Sequence, residues 1–425
     1  MIIISGNIAI KFLGGTREVG RSAVVVRCED TQALLDYGVL MDRAPGFPMH
    51  IMPNELDAIV LTHSHLDHCG AIPLFHTRGR TPVYGTSLSF ELSQLLIADF
   101  IHLSSYYLPY EYIDLGTMLN CAISVDYRVP FNIGSLKTEL LEAGHIPGAA
   151  QVIVEGDGKR VLYTSDFNTV ESRLLRAADQ SYGNLDALIM ESTYADEDHE
   201  DRHTVENKFM ERVNEIVEKG GTVLVPAFSV GRSQEILCVL AANHFKYPVT
   251  VDGMAKEANE ILMKHPNYLR DPTLFMNAIH MANWVKGWRD RRLATKKPGV
   301  IVSPAGMLKG GNAIFYMNSI AGKGENAVFL VSYQVPDSPG NRLLETKRFI
   351  IGGRTREVKA NVEKFDFTSH CGRTQLMETV KNVEGNPKVF IMHGAESNCQ
   401  NLAEEIKDKL GLGAFAPKPG EVFQI

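Results

Sequence analysis

Short aliphatic runs punctuate the first 190 residues: Ala23–Val26, Ala33–Leu35, Ala58–Leu61, Val161–Tyr163 and Ala187–Met190. Each is bounded by turn-forming or polar residues and lacks a helical stripe, so each predicts a buried strand. Met1–Asn7 reads as a further, first strand, and residues 87–101 are patterned as a helix. The style changes near Asp196. Behind the charged stretch Glu197–His203, the pattern predicts a helix over 204–218, a strand at Thr222–Val225, a helix at Arg232–Ala242 and a strand at Val249–Asp252. Val300–Val302 and Ala327–Val331 add buried strands. Strand–helix alternation of this kind predicts a mostly parallel sheet flanked by helices. Near the end, Val389–Met392 is another buried strand, and 399–410 has the pattern of an amphipathic helix.

Chemistry concentrates where these strands stop. Ala58–Leu61 leads into His63-Ser64-His65-Leu66-Asp67-His68, four metal-competent side chains within six residues. Asp36, Asp166, Glu191 and His393 likewise follow apolar runs, and His145 stands in the turn sequence Gly144–Gly148. Strand ends on one rim of a sheet can converge on one site. Imidazole and carboxylate without thiolate suit a catalytic metal site with open positions rather than a closed Cys-rich one. The ligands suffice for two ions, an arrangement suited to phosphate-ester hydrolysis. His rather than Glu at position 65 favours zinc over a di-iron centre. For ligands before residue 170 to meet His393, the C-terminal segment must return to the first domain. The middle of the chain is then an insertion, with the site expected in a cleft.

Composition narrows the class. A chain of 425 residues suggests two domains. Hydrophobic content of 44% and charged content of 22% are those of a soluble globular protein. No apolar stretch reaches membrane-spanning length, and the start lacks the features of a signal peptide, so no membrane association and a cytoplasmic location are expected. The six cysteines have no paired spacing and are expected to be reduced, with Cys69 and Cys371 as packing residues. A net charge of −7 is not the footprint of a sequence-independent nucleic-acid binder, though a local basic patch or bound cations can reverse the sign at a site. Two basic patches qualify. Arg289, Arg291, Arg292, Lys296 and Lys297 follow Trp284 and Trp288, which are spaced i, i+4 on an expected helix. These indoles either stack on bases or form a buried pair under a solvated face. Arg342, Lys347, Arg348, Arg354 and Arg356 form the second patch. The Gly-containing loop Ser303–Gly311, with Lys309, is either a phosphate cradle or a plain turn.

The order Asp36, His63-x-His65-x-Asp67-His68, His145, Asp166, His393 resembles the metallo-β-lactamase superfamily. The segments Gly220–Glu235, Val251–Met254, Ser303–Gly311 and Ser332–Gln334 narrow the resemblance to the β-CASP ribonucleases, among them archaeal nucleases similar to the cleavage and polyadenylation specificity factor, and RNase J. Glu191, His370 and His393 match that family's acidic, His and His positions. Ser165 stands where the family often has Gly, and Phe367–Gly372 departs from the common Phe-Ser-Ala-His-Ala-Asp. The resemblance implies an α/β fold, a metallo-β-lactamase αββα sandwich with an inserted β-CASP domain: residues 1–195 and 361–425 for the former, 196–360 for the latter. It implies two Zn2+ ions, one held by His63, His65 and His145 and the other by Asp67, His68 and His393, with Asp166 bridging and Asp36 orienting a ligand His. Asp67, Asp36, Glu191 and His370 would serve catalysis. Ser303, Gly306, Lys309, Ser369 and Arg232 are the candidate RNA or phosphate contacts. The implied activity is RNA phosphodiester hydrolysis, endonucleolytic as in 3′-end processing or 5′-to-3′ exonucleolytic. The implied partners are single-stranded RNA, other RNA-processing subunits and a second copy of the chain. A thioester or lactone hydrolase and a non-catalytic scaffold subunit are the competing classes.

Overall fold

The computed structural model describes residues 8–41, 44–335 and 337–425; the strand expected at Met1–Asn7 lies outside them. The chain divides into two compact units, one formed by residues up to Val170, Ala177–Asp198 and Ser369–Ile425, the other by Glu171–Arg176 and His199–Thr368.

The first unit is built on two seven-stranded sheets. In the first sheet the order is Val422–Gln424, Ala9–Gly14, Ala23–Cys28, Thr31–Leu35, Ala58–Val60, Val83–Gly85, Ala122–Ser124. In the second it is Ala414–Phe415, Glu384–Met392, Asn184–Glu191, Lys159–Tyr163, Ala150–Gly156, Leu136–Glu142, Phe131–Ile133. The period-2 alternation of each strand decides what it buries. Val24, Val26, Leu35 and Val60 from the first sheet share one core with Leu140, Val152, Tyr163, Ile189 and Phe390 from the second. The opposite face of the first sheet, Val25, Leu34, Ile59 and Val83, packs on Ile97, Phe100, Leu115 and Met118 from helices Ser87–Ser104 and Tyr112–Asn120. Helix Glu396–Leu410 lies against strand Glu384–Met392. The result is the αββα sandwich expected of the resemblance.

One pairing matters most for the site. Strand Glu384–Met392 runs parallel to Asn184–Glu191 with Met392 opposite Glu191, and Ser192 donates its N–H to the His393 carbonyl. A residue 393 positions along the chain is thereby fixed beside the strand that ends in Glu191.

The second unit has a six-stranded sheet, parallel throughout, in the order Ala282–Trp284, Val249–Val251, Gly299–Ser303, Thr222–Pro226, Ala327–Leu330, Asn361–Lys364. Its central strands Gly299–Ser303, Thr222–Pro226 and Ala327–Leu330 are buried at every residue, with helices Arg202–Glu218, Arg232–Ala242 and Ala313–Ile320 packed against the sheet, as parallel sheets require. The expectation that Trp284 and Trp288 share one helix is overturned. Trp284 ends strand Ala282–Trp284, and Trp288 opens the short helix Trp288–Ala294. Val285, Lys286 and Gly287 separate the two elements, so the i, i+4 spacing is a coincidence of a strand–turn–helix junction.

Candidate metal centre

The ligand-type residues gather at one end of the first unit's strands. Asp36 follows Thr31–Leu35, Ser165 and Asp166 follow Lys159–Tyr163, and His393 follows Glu384–Met392. Asp36, Ser165 and His393 each adopt left-handed backbone, with φ of +57°, +50° and +50°. Such a conformation costs a non-glycine residue about 1–2 kcal/mol. Here it turns each strand end sharply, and the surrounding hydrogen bonds hold it. The loop His63–His68 is held by its backbone: the carbonyls of Leu66, Asp67 and His68 accept from the N–H groups of Val39, Ser22 and Tyr37. Gly38 is required beside it, because a Cβ there would run into the Asp67 carbonyl.

Two groups of ligand atoms result. In one, atoms of His63, His65, His145 and Asp166 all lie within 4.8 Å of one another; in the other, those of Asp67, His68 and His393 do. Asp166 reaches both. Its Oδ2 is 3.7 Å from His63 Nε2, 3.7 Å from His145 Nε2 and 3.4 Å from His68 Nε2, while Oδ1 is 3.1 Å from His393 Nδ1. Ring nitrogens face one another pairwise: His65 Nδ1 and His145 Nε2 at 3.1 Å, His68 Nε2 and His393 Nε2 at 3.3 Å. Two imidazole nitrogens on one tetrahedral zinc would stand about 3.3 Å apart. His63 Nε2 is fully buried with no hydrogen-bond partner among the described residues. A buried nitrogen of this kind is costly unless something takes its lone pair. Together these features fit a bound divalent cation.

The remaining ring nitrogens are oriented by acceptors. His68 Nδ1 donates to Asp36 Oδ2 at 2.8 Å, and His145 Nδ1 donates to the Ser369 carbonyl at 2.9 Å. Partners of this kind fix tautomer and ring angle in metal sites. Asp36 is fully buried and also accepts from the Thr62 N–H, the Thr62 hydroxyl and the Tyr163 hydroxyl. Ser369, expected as an RNA contact, orients the His145 ring through its backbone carbonyl.

Electrostatics divide the cluster. Burial first, and neighbouring imidazoles second, hold His63 and His145 well below the ordinary imidazole range, and half-buried His65 is lowered to about 4. These are neutral and in ligating form. At His68 burial also opposes charge, but Asp166 and Asp36 outweigh it and raise the ring well above its usual value. Asp166 is drawn the other way: burial would raise it, and His393 and His68 hold it well below the carboxylate range.

Beside this cluster lies a second pair. His370 Nδ1 donates to Glu191 at 2.8 Å, and its ring centroid is 4.5 Å from that of His145. Burial disfavours the imidazolium, but Glu191 prevails and pushes His370 up to about 9. Glu191 also accepts from the Phe167 N–H and the Thr193 hydroxyl, and one of its oxygens lies within 4.8 Å of ligand atoms of Asp166 and His393.

Three hydroxyl residues escaped the sequence reading as partners. Thr62 lies 3.1 Å from His63 Nδ1, Ser165 lies 2.7 Å from the Thr62 hydroxyl, and Thr193 lies 3.2 Å from His393 Nδ1. Their one local signal is adjacency to a ligand or strand end. Cys69 and Cys371 are buried thiols raised by burial, in keeping with packing roles. The remaining candidate contacts belong to the second unit. Gly306 lies against Ser332 and the Phe228 N–H; the Ser303 hydroxyl donates to the next carbonyl; Lys309 is exposed; Arg232 opens helix Arg232–Ala242.

A solved structure of a protein of unknown function from Enterococcus faecalis shares the fold, with TM-score 0.62 and 12% identity over 99% of this chain and 100% of that one. Family models match along the chain: a beta-lactamase superfamily domain at 32–219, a Beta-Casp domain at 233–343 and a Zn-dependent metallo-hydrolase RNA specificity domain at 355–417. The chain is 43% identical to RNase aCSPSF2 of Saccharolobus solfataricus, over 99% of its own length and 86% of the relative's. It is 32% identical to the transcription termination factor FttA of Methanocaldococcus jannaschii, over 98% and 72%. Two ligand sets meeting at Asp166, and domain matches in this order, have one reading: the chain belongs to the β-CASP family of the metallo-β-lactamase superfamily.

Proposed function

We propose that this chain is a zinc-dependent ribonuclease that hydrolyses RNA phosphodiester bonds with two metal ions. The observation that carries the reading is Asp166, placed between two ligand sets, with the Glu191–His370 pair beside them. His63, His65 and His145 would hold one ion and Asp67, His68 and His393 the other, with Asp166 shared. Imidazole and carboxylate donors without thiolate favour zinc. When bound, such ions polarise a phosphoryl oxygen and make water nucleophilic near neutral pH. The protein's own groups do the rest. Asp36 and the Ser369 carbonyl keep His68 and His145 in the ligating tautomer. Glu191 keeps His370 protonated through neutral pH, so that its other nitrogen can hand a proton to the departing ribose oxygen. The names of the RNase relatives support RNA as the substrate.

Single-stranded RNA labelled at the 5′ or the 3′ end tests this. Wild type is expected to cleave it, and Asp67→Ala with His68→Ala to leave it intact while still folded. Mononucleotides released from the 5′ end indicate exonuclease action, and defined internal fragments an endonuclease. Hydrolysis of a generic thioester with intact RNA would replace this reading with a small-molecule hydrolase. Near-zero zinc in the purified protein would replace it with a scaffold.

A further inference from the structure

Trp288 is 62% exposed, although an indole is among the side chains that gain most from burial. It is nevertheless held. Phe315 meets it edge-on at 5.5 Å, and the Arg291 guanidinium lies 4.9 Å from its ring centroid. Arg291 is itself anchored by two hydrogen bonds, of 2.6 and 3.1 Å, to Asp252, a fully buried carboxylate that also accepts from the Tyr316 hydroxyl at 2.9 Å and the Gly253 N–H at 2.8 Å. An exposed aromatic ring with a buried support is preorganised, so a ligand that stacks on it meets little ordering cost.

The surroundings select the ligand. Lys286, Arg289, Arg291, Arg292, Lys296 and Lys297 stand within twelve positions against the single acid Asp290, in a chain of net charge −7. Arg291 is neutralised by Asp252, and Asp290 accepts from the Lys286 N–H. Lys286, Arg289, Arg292, Lys296 and Lys297 are exposed. A protein-docking patch would surround its aromatic anchor with apolar contacts; along this segment the exposed cations outnumber the one exposed aliphatic side chain, Leu293. A polyanion with open π faces fits, and a duplex hides those faces.

We propose that Trp288, with Arg289 and Arg292, is a binding subsite for single-stranded RNA, the indole stacking on a base and the guanidinium groups meeting phosphates. The proposal rests on the ribonuclease reading and adds a binding residue that the metal centre does not provide. Trp284 takes no part, since it ends a strand and its indole N–H donates to the Ile279 carbonyl.

The chain has two tryptophans, so in a Trp284→Phe background indole emission reports on Trp288 alone. A 20-nucleotide oligouridylate is mixed with the full chain by stopped flow and read before turnover. Quenching of Trp288 that saturates with RNA is expected. Trp288→Ala is expected to weaken binding by about 5- to 100-fold, the effect of losing one stacked base, and to raise KM with kcat retained. Arg289→Gln with Arg292→Gln, a surface change that tests the site independently of the indole, is expected to keep the quench and lower the salt slope of binding by about 1.4. Unchanged emission on RNA binding, with unchanged affinity in Trp288→Ala, overturns the subsite alone, provided wild type cleaves RNA. A change of oligomeric state in Trp288→Ala without any RNA effect overturns it in favour of a protein interface. A wild type that neither binds nor cleaves RNA removes the ribonuclease reading and this subsite together.

Discussion

Replacing Asp36 by Asn tests whether the centre depends on the group behind its ligands. Oδ1 of Asp36 accepts the Thr62 N–H, which an amide oxygen would retain. Oδ2 accepts from His68 Nδ1 at 2.8 Å, the Thr62 hydroxyl at 2.7 Å and the Tyr163 hydroxyl at 3.2 Å. An amide NH2 in that place is a donor. Both hydroxyls can rotate to accept from it, but an Nδ1–H cannot. His68 can answer only by shifting its proton to Nε2, the atom that faces His393 and Asp166. The variant should therefore lose metal affinity at the Asp67–His68–His393 position by about 10- to 100-fold, or about 1.4–2.7 kcal/mol. Stability should fall by about 1–3 kcal/mol for the mismatched buried donors. Asn tolerates the left-handed backbone at this position, so the fold should persist. Competition against a chromophoric chelator, with a thermal melt in parallel, measures both quantities. Affinity within about twofold of wild type, alongside a lowered melting temperature, would show that Asp36 serves the fold and not the ligand.

Three further outcomes follow from the same geometry. His370→Ala and Glu191→Gln should each lower kcat by about 10²- to 10⁴-fold while metal content is unchanged, as checked by elemental analysis. The sign of the pH effect is set by the raised His370 pKa: the proton and the ion pair with Glu191 are fully present below the ordinary imidazole pKa and are lost as pH rises through about 9. Bound cations disfavour the imidazolium, so the alkaline limb of the rate profile should fall at or below that value, and lower still in Glu191→Gln. Gly38→Ala should reduce bound metal below the wild-type stoichiometry, because the new Cβ forces the Asp67 carbonyl, and with it the ligand loop, to move. Full occupancy in that variant would contradict the close packing described.

The residues of the candidate cluster were legible because their signal is local. An apolar run that stops at His63, Asp166, Glu191 or His393 reports both a buried strand and what stands at its end. The turn at Gly144–Gly148 marked His145 in the same way. The hydroxyls of Thr62, Ser165 and Thr193 left no such mark, since Ser and Thr end many strands and only the packed fold supplies their imidazole and carboxylate partners. Glu171–Arg176 was equally opaque. That segment clusters with the second unit, where Arg173 pairs with buried Glu206 at 2.7 Å and Glu235 accepts the N–H groups of Arg173 and Leu174. Contacts across 33 to 62 residues impose no periodicity on the intervening sequence. Trp284 and Trp288 failed for the opposite reason: a helical spacing arose across a strand–turn–helix junction.

On the proposed reading, seven side chains from distant parts of the chain share a pair of divalent cations. An anomalous-difference map recorded at the zinc edge, on crystals of the purified protein, tests it most directly. Two peaks flanking Asp166, one among His63, His65 and His145 and the other among Asp67, His68 and His393, are predicted. A single peak, or none, in crystals of active enzyme would rule out the paired-cation centre.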